Sequence, residues 1–129
     1  MPTLSVPQLA VTLSGTDVTL VVSYTGTWSR VEQFLAINAG LAFREEIEVI
    51  GEDPGAETDL VLHRFSTVIQ PGGLASSLNF SRNPSFKVTR ASLQEDVGSD
   101  SDEVSCRVTV TPIGIPVRQV LRSNQITLA

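Results

Sequence analysis

Apolar and polar residues alternate with period two along most of the chain, the pattern of strands that bury one face and wet the other. Over residues 103–111, Val104, Cys106, Val108 and Val110 fall on one face, and Ser105, Arg107, Thr109 and Thr111 on the other. Over residues 41–50, Leu41, Phe43, Ile47 and Val49 share a face that Glu45 interrupts, while Arg44, Glu46 and Glu48 point away. Residues 51–55 then turn the chain. Leu9, Val11 and Leu13 alternate up to the Ser14-Gly15 break, and Val18, Leu20 and Val22 alternate after it as far as Gly26. Further strands are expected over residues 60–69, 77–81, 85–91 and 125–128, with residues 117–121 opening the last strand or bulging into it. Pro112 and Pro116 confine the segment between them to an edge or a loop.

One segment departs from this period. Ser29-Arg30-Val31-Glu32 has the form of a capping box, in which a hydroxyl and a carboxylate satisfy each other's orphan backbone donors. Val31, Phe34, Leu35 and Asn38 recur at helical spacing, and Gly40 stands where a left-handed C-cap belongs. The spacing predicts a short helix over residues 30–39. A continuous strand through residues 34–37 is the alternative for so short an apolar run.

The chain has 129 residues, 41% of them hydrophobic and 18% charged, which is the length of one core and too apolar for disorder. Residues 1–129 are therefore expected to form a single domain. A net charge of −5 repels phosphate backbones and anionic headgroups, so nucleic acid is not an expected partner. No apolar run is long enough to cross a bilayer, and insertion into a membrane is not expected. The start Met1-Pro2-Thr3-Leu4 lacks the basic and apolar regions of a secretory signal, which leaves the compartment open. Cys106 stands alone, so the core is expected to hold without an internal disulfide, with Cys106 as a small buried hydrophobe.

Gly15-Thr-Asp-Val18-Thr-Leu20-Val-Val22-Ser-Tyr24-Thr-Gly26 resembles the B strand of the immunoglobulin superfamily, with Val22 where that family has its first cysteine. Phe86-Lys-Val88 followed by Leu93-Gln-Glu-Asp96-Val-Gly98 resembles the E strand and the corner after it. Val104-Ser-Cys106-Arg-Val108 is similar to the F strand, and Ser123-Asn124-Gln125-Ile126-Thr127-Leu128 to the closing strand of immunoglobulin-like and fibronectin-like modules. The resemblance implies an all-β, immunoglobulin-like antiparallel sandwich of about 7–9 strands, with one short helix near residues 30–39 as an addition. The chain departs from the family in having Val104 where the corner tyrosine falls and Trp28 too near Val22 to be the C-strand tryptophan.

Candidate chemistry is sparse. The single histidine, His63, shares a face with Val61 and Phe65, which suits a packed or rim residue; a hydrolase would have to pair it with Asp59 or Glu57. No nucleophile elbow, phosphate-cradling loop or zinc-protease motif accompanies it, so no catalytic or cofactor-binding residue is assigned and the protein is not expected to be an enzyme. Residues 94–103 are acidic, and Asp96, Asp100, Asp102 and Glu103 are the candidates for calcium, which takes carboxylates from flexible loops. The ordinary role of such a stretch is a solvated turn, and no metal is assigned. Asn79-Phe80-Ser81 fits the glycosylation triplet, which also occurs by chance. Tyr24, Trp28 and Arg30 flank the turn after the B-like strand, where aromatic rings can stack on a sugar or anchor a protein, or else close one end of the core. The expected function is a non-enzymatic structural or interaction module, a component of a larger assembly of surface, filament or virion type, with a protein partner or further copies of itself. The alternative is a ligand-binding module for carbohydrate or calcium.

Overall fold

The computed structural model describes residues 2–52, 60–73, 75–93, 102–113 and 119–128. The first three strands are β1 (Thr3–Leu4), β2 (Gln8–Ser14) and β3 (Asp17–Thr27). The helix α1 (Arg30–Ala39) follows, then β4 (Phe43–Glu52), β5 (Leu60–Ile69), β6 (Asn79–Arg82) and β7 (Ser85–Thr89). A 3₁₀ turn (Arg90–Leu93) leads away from β7, and β8 (Asp102–Pro112), β9 (Gln119–Arg122) and β10 (Ile126–Leu128) complete the order. The protein is an all-β sandwich of two antiparallel sheets with one short helix among the described residues.

β3 is the middle of the first sheet. β2 and β1 pair along one side of it, and β6 and β7 along the other, in one register that Asn83-Pro84 interrupts because proline has no N–H to give to a ladder. The second sheet runs β5, β4, β8, with β9 and β10 pairing along the far side of β8. β3 buries Val18, Leu20, Val22 and Tyr24 on one face, and β4 and β8 answer with Phe43, Ile47, Val49, Val104, Cys106, Val108 and Val110, all within one core cluster. Val22 and Cys106 are both completely buried. The side-chain amide of Asn124 accepts from the Leu9 N–H at 2.6 Å and donates to the Leu9 carbonyl at 3.2 Å, tying the free edge of β2 to the other sheet.

The expected helix is present over residues 30–39, because its ends are written locally. Ser29 Oγ accepts from the Glu32 N–H at 3.1 Å while Glu32 Oε1 accepts from the Ser29 N–H at 2.7 Å. Gly40 closes the helix at φ 69°, a conformation that costs a side chain with a Cβ. Gly26, which ends the B-like motif, answers to packing instead: a Cβ there would collide with the Phe80 ring. Most strands fall where alternation puts them, with β5 over residues 60–69 as expected and β4 displaced by two residues to 43–52. The segment expected as strand over residues 85–91 ends at Thr89, and Arg90 enters the 3₁₀ turn that buries Leu93. β1 has no counterpart in the expected strands; it is two residues long, too short for a period to register.

Candidate functional site

Tyr24 points inward from β3 and donates its hydroxyl to the carboxylate of Glu45 on β4. Arg82 of β6 grips the same carboxylate with two bonds of 2.9 Å, from Nε to Oε2 and from Nη2 to Oε1. This explains why Glu45 interrupts an apolar face. Its side chain does face the interior, 1% exposed, as the shared partner of a tyrosine and an arginine from the opposite sheet. Burial, and then the bond to Glu45, push the Tyr24 hydroxyl far above its ordinary range, so it stays a proton donor. Trp28 lies between Phe80 and Phe43, with ring centroids 4.4 Å and 5.0 Å away, and its backbone N–H donates to the Leu78 carbonyl at 2.8 Å. Tyr24 and Trp28 thus use their rings inside the core, and of the three surface candidates Arg30 alone is exposed. An open cleft of about 250 Å³ runs between β5 and β6, where Val68, Gln70, Ser81 and Arg82 border Trp28.

The remaining candidates lie apart from this region. Asp96 and Asp100 fall outside the described residues, as does the side chain of Asp102, while Glu103 accepts from the amide of Gln125. Among the described residues, no three His, Cys, Asp or Glu side chains gather as metal ligands. His63 Nε2 lies 2.8 Å from Ser92 Oγ, whose hydroxyl donates to the Thr89 carbonyl at 2.7 Å. With that hydrogen engaged, the imidazole is the donor to Ser92 and does not take its proton. Asp59 and Glu57 lie outside the described residues. Asn79 is exposed on β6, and its Oδ1 accepts from Thr27 Oγ1 at 3.0 Å. Burial pushes the Cys106 thiol up to about 12, which leaves it neutral and unreactive in the folded protein. On the outer face of the second sheet, Glu48 accepts from Arg107 Nε at 2.9 Å and from Arg64 Nη2 at 2.7 Å. Those bonds, that to Arg107 foremost, hold its carboxyl below the usual carboxylate range.

Among the described residues, the largest concentration of exposed apolar side chains is on α1. Val31 is 67% exposed, Phe34 57%, Ile37 45% and Leu35 39%, and Arg30 and Asn38 continue the same stripe at helical spacing. The buried residues of this helix are Glu32, engaged in the cap, and Gln33, whose Nε2 donates to the carbonyls of Gly73 at 2.8 Å and Ser76 at 3.3 Å. The helix is therefore seated by its polar side chains and shows its apolar ones to solvent. A shallow hollow of about 340 Å³ lies beside Arg30, Val31, Gln33 and Phe34. Sequence reasoning found the helix but not its orientation. Nothing within α1 signals that orientation, because a polar face of Glu32, Gln33 and Ala36 opposite an apolar stripe is also what a helix packed by that stripe would show.

The chain was compared with known protein families, curated proteins and solved structures, and it matches no family model, no curated protein and no solved structure.

Proposed function

We propose that this protein is a non-enzymatic interaction module on an immunoglobulin-like sandwich, a component of a larger protein assembly, and that α1 is its docking surface. The immunoglobulin-like part is supported by strand order. β2, β3 and the β6–β7 line form one layer in the arrangement A, B, E, and the β9–β10 line, β8, β4 and β5 form the other in the arrangement G, F, C, C′. Val22 and Cys106 occupy the B and F positions that a disulfide joins in antibody domains, and close packing stands in its place.

The docking part rests on one observation, the outward apolar stripe of α1. An isolated exposed Leu or Val needs no explanation, but four large apolar side chains on one ten-residue helix form a contiguous patch of the kind that marks an interface. A capped helix end and a bonded Gln33 hold the stripe in place before any partner arrives, which lowers the ordering cost of association. The test compares the immobilised wild type with Phe34→Asp in extracts of the source cells. A protein retained by the wild type and lost by the variant is expected; equal retention by both overturns α1 as the docking surface.

A further inference from the structure

We infer that the occupant of the α1 face is a second copy of this chain, with the two helices antiparallel about a two-fold axis near Phe34 and Leu35. The inference rests on the docking reading above and adds the identity of the partner.

Arg30 is exposed in the first turn of α1, where its cation faces the positive end of its own helix dipole, and it makes no ion pair among the described residues. The other end of the helix has the opposite need. No basic residue lies in the last turn, and the carbonyls of Ile37, Asn38 and Ala39 accept no hydrogen bond among the described residues. An antiparallel copy brings Arg30 of each chain to the C-terminal end of the other helix, so one symmetric contact corrects both ends twice. A parallel pair would instead set the two Arg30 side chains together. The chain also carries a net charge of −5, which disfavours most ways of bringing two copies into contact. The α1 stripe adds no negative charge to such a contact, because its members Arg30, Val31, Phe34, Leu35, Ile37 and Asn38 include no carboxylate and Glu32 is buried.

Area sets the strength. The exposed parts of the four apolar side chains amount to roughly 400 Å² per copy, about half of what each partner contributes to a standard stable interface. The dimer is accordingly weak and concentration-dependent, unless a larger assembly adds contacts or holds many copies close.

Sedimentation from about 1 µM to about 1 mM is expected to show a monomer–dimer equilibrium with a dissociation constant of roughly 10–500 µM. Phe34→Asp should weaken it at least about tenfold by placing two carboxylates at the two-fold axis, and Arg30→Glu by about three- to tenfold. Oxidation should cross-link Leu35→Cys into a covalent dimer, while Ala39→Cys, whose copies lie about 13 Å apart along the paired helices, stays monomeric. The buried Cys106 does not compete in that reaction. Unchanged thermal unfolding of the Phe34→Asp variant confirms that it is folded. Monomer at every concentration, a dimer indifferent to Phe34→Asp, or equal cross-linking from residues 35 and 39 overturns the second copy as occupant. If the capture experiment still separates wild type from variant, the docking reading survives that result, and the partner is a different protein.

Discussion

In β3, Val18, Leu20, Val22 and Tyr24 all point into the core. In α1, three residues further along, Val31, Phe34, Leu35 and Ile37 all face outward, and Glu32 and Gln33 are the buried ones. Both elements carry an apolar stripe of the correct period, so periodicity identified each element and was silent on which face would be covered. The difference lies in what stands opposite. β3 is flanked on both sides by ladders and faces a second sheet, which leaves one direction for an apolar side chain. α1 crosses from one sheet to the other and is anchored through Gln33 to residues 73 and 76, so its seat is built from hydrogen bonds. A core element buries its apolar surface on folding, whereas α1 leaves that surface exposed.

This contrast is open to test by mutation, from the largest expected effect to the smallest. Glu45→Ala strips Arg82 and the buried Tyr24 of their shared carboxylate and should cost about 3–5 kcal/mol in urea denaturation. A loss under 1 kcal/mol would mean that the inter-sheet ion pair contributes little to holding β3 against β4. Leu20→Ala leaves a cavity where β3 meets the core and should cost about 3 kcal/mol by the same measurement. Ser29→Ala removes the hydroxyl half of the capping box and should cost about 1 kcal/mol, with faster amide exchange confined to the first turn of α1. Phe34→Asp should change stability by less than about 0.5 kcal/mol, because the side chain is already mostly in water. A loss of 2 kcal/mol or more there would place the ring in the core and erase the distinction between the two elements.

The strands legible in the sequence were those long enough to show several alternations: the inward Val104, Cys106, Val108 and Val110 of β8 are a clear case. The ends of α1 were legible because Ser29, Glu32 and Gly40 act on backbone groups within a turn of themselves. The partners of Glu45 were not. Tyr24 lies 21 residues before it and Arg82 37 residues after, and no local rule links them. The exposed state of Phe34 was hidden for the same reason, since nothing within α1 reports what the rest of the chain sets against it.

The amino-acid order by itself determined that this protein is built of strands with one capped helix, because side-chain period and helix capping are short-range properties. Only the tertiary structure decided that Tyr24 and Trp28 would close the interior, that a carboxylate would be accepted there, and that the helix would turn its apolar side to solvent. Those outcomes depend on which distant segments arrive at the same place, and that is fixed when the two sheets close on each other.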